Sequence, residues 1–311
     1  MWRLAGKVAV LAGGAAVAMP SRGHATWGGG ERTDIGEIEA VDAGFYGLYA
    51  ANGGPQVAVF LQRRLQPVFA AHYLGSKGSP TQRIQSSLQL TFESIEREIT
   101  EAARKPLSFG FSKPVYVGAT ALAAVVSNTF YVAANLGDAQ ALLFYAGADR
   151  QLLSKSLCPV HSLSNPKEKE RLRQAHPHDS DLIVNERVKG RVKVTRAFGH
   201  LDLKAKDFDN PQGLDPSLGF LPAKSPYTGP YLTHMPDIVT GEIGPQDRFI
   251  VLGSSAFWEV IRIAEASQVL ITSSTPQEAS EKLLTLARSS AHSSTDLSSL
   301  TVIVIQLNPA S

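Results

Sequence analysis

Apolar residues recur at intervals of three and four along residues 81–105, which predicts a long helix with one apolar face. The repeating positions are Ile84, Leu88, Phe92, Ile95 and Ile99. A second helix is predicted over residues 276–289, and Thr81 and Thr275 are placed to cap the two N-termini. These two helices are candidates for the outer layers of the fold.

Short apolar segments bounded by Gly, Asn and Ser predict the strands. They cover residues 44–50, 122–126, 130–134, 140–145, 248–252 and 300–307, with a hairpin turn at residues 127–129. Shorter helices are predicted over residues 55–65, 165–174 and 257–264, and residues 201–230 form a long irregular segment rich in Pro and Gly. This grouping predicts an α+β fold in which helices flank two antiparallel sheets.

Composition agrees with a folded protein and excludes some kinds of site. The chain has 311 residues, of which 43% are hydrophobic and 19% charged, enough to bury a sizeable core. A formal net charge of +2 is too small to indicate binding to nucleic acid or to an anionic membrane. The single cysteine, Cys158, excludes an intramolecular disulfide and a cysteine-based zinc site.

Residues 1–30 differ from the rest of the chain because they contain no Asp or Glu and carry the basic residues Arg3, Lys7 and Arg22. The apolar run over residues 8–19 is shorter than the roughly 20 residues that a membrane-spanning helix needs. Two interpretations stay open: a mitochondrial presequence, which we favour, and a secretory signal cleaved near residues 24–26. The predicted organisation is a targeting or anchor segment over residues 1–30 and one domain over residues 31–311.

Six motifs follow one another from residue 45 onwards. They are FYGLYAANGG at 45–54, GATA at 118–121, YVAANLGDAQALL at 131–143, RAFGH at 196–200, QDRFIVLGSSAFWE at 246–259 and LTVIVI at 300–305. In order and spacing they resemble the metal-dependent Ser/Thr protein phosphatases of the 2C type. Within that family, the stretches at residues 160–177, 230–233 and 245–247 are most similar to the mitochondrial pyruvate dehydrogenase phosphatases. The resemblance implies a four-layer αββα sandwich.

The resemblance also implies an active site in which aspartates at strand ends hold two divalent cations, which activate a bridging water and bind the phosphate. Three of those aspartate positions are occupied here by Ala50, Ser255 and Ser298, and His200 stands where the family has a further Asp. Methyl and hydroxyl groups supply no charge to offset the dehydration of two dications. The substitutions predict a pseudophosphatase that is not an enzyme, with no catalytic residue, no bound metal and no cofactor.

Other acidic residues are candidate replacements for the lost carboxylates. Asp296 lies two residues before Ser298, and Glu259 lies one helical turn beyond Ser255. Where the family has an acidic residue and a phosphate-binding Arg, this chain offers Glu31, Glu37, Glu39, Asp42, Arg22 and Arg32. We do not expect these residues to rebuild a two-metal site.

The retained polar residues have simpler interpretations. Asp138 precedes a tight turn between two strands, so we interpret it as a turn-capping residue. His161, His176 and His178 share no regular metal-ligand spacing and are interpreted as structural, surface or loop histidines.

Retention of a scaffold without its acidic residues predicts a structural or regulatory subunit of a larger, mitochondrial protein assembly. Its candidate contact surfaces are the altered cleft, residues 201–230 and residues 1–30, the last being the only expected membrane contact. One alternative is an active phosphoprotein phosphatase with a rebuilt or single-metal site. Another is a metal-free phosphate or nucleotide sensor that uses Asn52, Ser255 and His200.

Overall fold

A computed structural model describes residues 7–11, 43–147, 151–209, 227–291 and 299–307 of the chain. The strands, in chain order, are β1 (Lys7–Leu11), β2 (Ala43–Asn52), β3 (Gly118–Ser127), β4 (Phe130–Leu136), β5 (Gln140–Ala146), β6 (Leu152–Ser156), β7 (Ile183–Val184), β8 (Arg187–Val188), β9 (Phe198–Gly199), β10 (Asp237–Glu242), β11 (Asp247–Gly253) and β12 (Thr301–Gln306). The α-helices are α1 (Gln56–Gly75), α2 (Pro80–Ser108), α3 (Pro166–Ala175), α4 (Ser255–Val260), α5 (Ile263–Thr272) and α6 (Pro276–Ser290).

Two antiparallel sheets form the centre of the molecule. One has the strand order β1-β12-β11-β5-β6, and the other has the order β10-β4-β3-β2, with β9 added against the start of β3. Within the first sheet, Val251 of β11 pairs with Val304 of β12 and with Leu142 of β5. In the second, β2 pairs with β3 along its whole length, from Ala43 opposite Ser127 to Asn52 opposite Gly118.

Three apolar layers hold the sheets and helices together. Leu61 of α1 and Leu88 of α2 pack on the outer face of the second sheet, and Leu283 of α6 packs on the outer face of the first. Between the sheets lies a third cluster that includes Leu122 of β3 and Leu252 of β11. The predicted αββα sandwich is confirmed. Among the described residues, no helix combines the length and apolarity that crossing a bilayer requires.

Three helices differ from their predicted extents. The helix predicted over residues 55–65 continues to Gly75 and contains Pro67, because Phe69 and Tyr73 extend its buried face into the core. The helix predicted over residues 257–264 is two helices, α4 and α5, separated by extended backbone at Ile261 and Arg262. The long helix begins one residue earlier than predicted, and Ser79 rather than Thr81 precedes it, its N–H donating to the Gln82 side chain.

The segment predicted to be a targeting sequence contains a strand of the first sheet. Backbone pairing places Lys7–Leu11 beside β12, with Ala9 opposite Ile303. Residues 1–6 and 12–42 lie outside the described residues. The targeting role of residues 1–30 stays a prediction.

Candidate functional site

One edge of the sandwich collects the ends of strands from both sheets. Strand β2 ends there at Asn52, opposite Gly118 at the start of β3. The turn between β4 and β5 lies at the same edge, and β11 ends there at Gly253, opposite Gln140 of β5. Residues that follow these strand ends therefore come together although they are far apart in sequence.

Ala50 occupies the position on β2 where the resemblance implies a metal-binding aspartate. Its methyl group is partly buried, and in register it lies opposite Thr120 of β3. The next residue, Ala51, is exposed. The Thr120 hydroxyl is buried and has no hydrogen-bond partner among the described residues. This part of the edge is thus apolar at Ala50 and has one unsatisfied hydroxyl beside it.

The turn between β4 and β5 is held by the buried side chain of Asn135. Its Nδ2 donates to the carbonyls of Gly137 at 3.3 Å, Ala139 at 3.1 Å and Pro159 at 2.7 Å. Gly137 has a φ of +128°, which favours glycine, and a Cβ there would lie 2.3 Å from the Thr120 Cβ. The local sequence therefore fixes the backbone immediately before Asp138.

Asp138 connects this turn to α4. Burial raises the pKa of Asp138, and the negative charge of Glu259 adds to that rise, whereas Lys193 opposes it. The Ser255 hydroxyl, at the start of α4, and the backbone of its own turn also lower the pKa of the Asp138 carboxyl. Asp138, Ser255, Glu259 and Lys193 form the acidic corner, the name we use for this group below.

Ser254 fixes the position of Ser255 relative to β12. The Ser254 Oγ donates to the carbonyl of Ser299 at 2.8 Å and accepts from the N–H of Thr301 at 3.2 Å. It also caps α4 by accepting from the N–H of Phe257 at 3.3 Å. The start of α4 is therefore tied to the edge of the first sheet.

A network of polar side chains around His161 contacts the turn between β4 and β5. The His161 Nδ1 accepts from the N–H of Gly137 at 3.2 Å, so its Nε2 carries the proton and donates to Asp237 at 3.0 Å. Arg196 bridges Asp237 and Glu168, with contacts of 2.9 and 2.8 Å. Burial lowers the pKa of His161. This network is structural, because each of its charges is matched by a partner within the network.

The interpretation of the three histidines is correct in part. His178 is exposed, but His161 and His176 are buried, which makes a surface position wrong for both. Each bonds inside the fold through Nε2: His161 bonds Asp237, and the His176 Nε2 lies 3.2 Å from the carbonyl of Pro230, whereas the His176 Nδ1 has no partner among the described residues. A buried histidine needs such partners, and they come from distant segments that spacing cannot reveal.

His200 lies at the start of β3, away from the acidic corner. Its backbone is left-handed, with a φ of +47°, and its ring packs against Gly118. Burial, together with the charge of Lys204, lowers the pKa of His200 to about 3, so the ring is neutral near pH 7. Gly118 pairs with both Asn52 and Gly199, which places Asn52 near His200. Ser255, the third residue of the predicted anion sensor, instead bonds Asp138.

Several predicted positions lie outside the described residues, and their placement is untested. They are Arg22, Glu31, Arg32, Glu37, Glu39, Asp42, Asp296 and Ser298. In the part of the chain that the structure does describe, no three His, Cys, Asp or Glu side chains are grouped to hold a metal ion. The two-ion centre that the resemblance implies therefore does not fit the described residues.

Two carboxylates of the acidic corner are candidate donors for a smaller magnesium site. Magnesium in proteins is often held by one or two carboxylates, with water and substrate phosphate completing its coordination. The candidates are Asp138 and Glu259, whose carboxylates interact electrostatically, and the Ser255 hydroxyl lowers the pKa of the first. From the sequence alone, Asp138 is interpreted as a turn residue. The available signal for a site was the spacing of four residues between Ser255 and Glu259, which places both side chains on one side of a helix.

Comparisons with known proteins agree with the architecture. The family model described as Protein phosphatase 2C matches residues 31–296. "Probable protein phosphatase 2C 25" of Oryza sativa subsp. japonica is 26% identical over 244 residues, which cover 76% of this chain and 60% of the relative. "Probable protein phosphatase 2C 46" of Arabidopsis thaliana is 25% identical over 249 residues, covering 77% of this chain and 63% of the relative. The chain thus spans about three fifths of the length of these relatives.

A solved structure supports the same fold. Serine-threonine phosphatase 2C from Toxoplasma gondii superposes with a TM-score of 0.59 at 16% sequence identity, and the match covers 88% of each chain. A similarity at this level of identity concerns the fold alone.

The comparisons correct one prediction. From Ala50, Ser255 and Ser298, the chain was predicted not to be an enzyme. That prediction is wrong: the matching family is enzymatic, and the similar proteins and structures are phosphatases. The reasoning failed because it inferred the loss of activity from the replaced aspartates alone, whereas the match to an enzymatic family extends over residues 31–296.

Proposed function

Because the chain belongs to the protein phosphatase 2C family, we propose that it hydrolyses phosphoserine or phosphothreonine in protein substrates. The observation that carries this proposal is the partly buried carboxylate of Asp138 at the strand-end edge, whose pKa is raised by burial and by the charge of Glu259 and lowered by the Ser255 hydroxyl. These acidic groups lie at the edge where strand ends of both sheets meet, and groups with shifted pKa values in such places often belong to functional sites.

In this proposal Asp138 and Glu259 would hold a single magnesium ion. When bound, the ion would act as a Lewis acid that neutralises charge on the phosphate oxygens. The Ser255 hydroxyl keeps the Asp138 carboxylate in one orientation, and the tie between Ser254 and Ser299 keeps α4 in place. Supports of this kind limit movement of the ligand side chains and so favour one coordination geometry.

Lys193 is proposed to attract the phosphate group. Its side chain is exposed, and its charge acts on the carboxylate of Asp138. A lysine ammonium binds phosphate as a compact point charge. We expect Lys193→Ala to raise KM for a phosphopeptide with a smaller change in kcat. Lys167→Ala, which removes an exposed lysine of α3, serves as the matched control and should leave both constants unchanged.

The experiment that tests the proposal is a phosphate-release assay on the full chain, with a phosphothreonine peptide and added Mg²⁺ or Mn²⁺. We expect Ser255→Ala to lower the rate by about 10- to 100-fold, as for other residues that orient a metal ligand. Asp138→Asn and Glu259→Gln should lower it at least as far. Glu281→Gln, at an exposed acid of α6, is the control. Phosphate release that is absent in the wild type, or unchanged in Asp138→Asn, would overturn the proposal.

A second proposed role is that of a regulatory or structural subunit of a mitochondrial protein assembly. It is supported by the methyl group of Ala50 at the cleft edge and by the acid-poor composition of residues 1–30. In this role the cleft holds a phosphorylated segment of a partner protein. Fractionation of mitochondria from the source cells should then place the chain in a particle much larger than 33.3 kDa. Recovery as a free monomer outside mitochondria would contradict it.

A further inference from the structure

The C-terminal end of α2 presents two aromatic side chains to solvent. The helix ends at Ser108, and Phe109 and Phe111 are 72% and 69% exposed. Gly110 between them has a φ of +86°. We call residues 105–113 the Phe109 tip. Two neighbouring phenylalanines that remain this exposed are uncommon on a soluble surface and indicate a contact site.

The tip is an ordered turn. The N–H groups of Phe109 and Phe111 donate to the carbonyl of Pro106 at 3.1 and 3.0 Å, and the N–H of Gly110 donates to Leu107 at 2.9 Å. These bonds close the last turn of α2 and set the direction in which both rings leave the backbone.

Both ends of the tip are anchored in a small core. Ala103, before the tip, and Val115, after it, are buried together with Leu201 and Phe208. Because both ends of the tip are held in this core, the two rings stay directed away from the rest of the protein. The exposure of the two rings is therefore a property of the fold.

The charge around the tip is positive. Three exposed cations border it: Arg104, Lys105 and Lys113. No Asp or Glu occurs in residues 102–137. The acids on the neighbouring elements are Glu101, in the preceding turn of α2, exposed Asp207, next to the Phe208 ring that packs under Arg104 at 5.1 Å, and Asp202 and Asp209, whose charges act on Tyr116. The three cations lie closer to the rings in sequence than any of these acids.

We propose that the Phe109 tip docks the protein on an anionic phospholipid surface. The two phenyl rings enter the interface between headgroups and acyl chains, while Lys105 and Lys113 contact lipid phosphates and carboxylates. A turn at the end of a helix is convex, so it suits insertion into a bilayer surface better than capture of a peptide, which needs a groove. The proposal is independent of the phosphatase activity proposed above.

The tip also lies close in sequence to the candidate site. Six residues separate Phe111 from Gly118, the first residue of β3, which pairs with Asn52 at the cleft edge. The backbone carbonyl of Tyr116, in the same connection, lies 3.0 Å from where a Cβ on Gly53 would be. Docking through the tip would therefore hold this edge near the membrane.

The test uses the full chain and vesicles of phosphatidylcholine, with or without phosphatidylserine, in a flotation assay. We expect binding to the mixed vesicles, and a loss of about tenfold or more in affinity for Phe109→Ser/Phe111→Ser and for Lys105→Glu/Lys113→Glu. The matched control, Leu74→Ser/Lys77→Glu, removes a 71% exposed leucine at the end of α1 and an exposed lysine in the connection to α2, and should bind as the wild type does.

A second readout separates the tip from residues 1–30 as the point of contact. A solvent-sensitive dye is attached through Ser108→Cys, since the native Cys158 is buried and its pKa is raised to about 12 by that burial. Blue-shifted emission on addition of mixed vesicles supports insertion of the tip. The proposal is overturned by an unshifted spectrum, by equal binding to neutral vesicles, or by wild-type binding in the Phe109→Ser/Phe111→Ser variant.

Discussion

The Oγ of Ser254 donates a hydrogen bond of 2.8 Å to the backbone carbonyl of Ser299. Ser254 directly precedes Ser255 of the acidic corner, and Ser299 directly follows Ser298, so one bond joins the two loops in which the family resemblance implies aspartates. The same oxygen caps α4 and accepts from Thr301. The backbone of the cleft edge therefore keeps its hydrogen bonds beside the two positions where the family's aspartates are replaced.

Removal of the Ser254 hydroxyl should weaken both the fold and the site. Three backbone contacts depend on this buried oxygen, so we expect Ser254→Ala to lower the free energy of unfolding by about 1–3 kcal/mol. Phosphate release should fall as well, since α4 loses its tie to β12. Chemical denaturation measures the first effect. Ser289→Ala, at an exposed helix position, should change stability by less than about 0.5 kcal/mol.

Two glycines should respond in opposite ways to the same substitution. Gly137→Ala places a Cβ 2.3 Å from Thr120 at a left-handed φ of +128°, so we expect a loss of about 1–3 kcal/mol. Gly75→Ala meets no atom within 4 Å at the end of α1 and should stabilise the fold by about 0.4–1 kcal/mol. Equal thermal unfolding midpoints for the two variants would show that the turn before Asp138 is not constrained.

The network around Glu168 predicts a pH-dependent stability. Although burial opposes it, hydrogen bonds from Arg196, Arg171 and Thr195 lower the pKa of Glu168 to about 2. A carboxyl whose pKa is lowered on folding stabilises the native state above its unfolded pKa, and this stabilisation is lost as the pH falls through the folded value.

Glu168→Gln should therefore cost about 3 kcal/mol at pH 7, and the difference from the wild type should shrink as the pH falls from about 4.5 to 2. Denaturant titrations across this pH range measure the difference. Glu170→Gln, at an exposed position of the same helix, is the control. A penalty for Glu168→Gln that stays constant with pH would contradict the ion-pair account.

Restoring a carboxylate on β2 should strengthen metal binding. Ala50 lies opposite Thr120, whose side chain contacts Gly137, the residue before Asp138. We expect Ala50→Asp to raise the affinity for Mg²⁺ by about tenfold, because a third negative ligand joins the acidic corner. Ala51→Asp, on the opposite side of the strand, should leave the affinity unchanged. If both variants bind the ion alike, Ala50 does not face the site.

The sequence predicted the architecture well because local patterns determine it. The hairpin of β3 and β4 and the helix α6 with its Thr275 cap follow from alternation, apolar periodicity and capping residues. The break at Ile261 was missed, since the apolar pattern continues across it. The helix predicted to end at residue 65 continues through Pro67, because packing of Phe69 overrides the effect of the proline.

The site was harder to predict because its contacts join distant segments. Asp138 and Ser255 are 117 positions apart, and nothing near either residue indicates that they are bonded. His161 was interpreted without Asp237, its partner across 76 positions. The sequence shows directly which aspartates are replaced. It does not show which carboxylates lie together at an edge of the sheets, because that depends on how the strands pair.

The central claim is that Asp138 and Glu259 hold one divalent cation at the cleft edge. Titration calorimetry of the full chain with Mg²⁺, in parallel with the folded Asp138→Asn variant, tests it most directly. The account predicts one ion bound per chain by the wild type and a loss of binding in the variant. No heat of binding in the wild type, or the same affinity in Asp138→Asn, would contradict it.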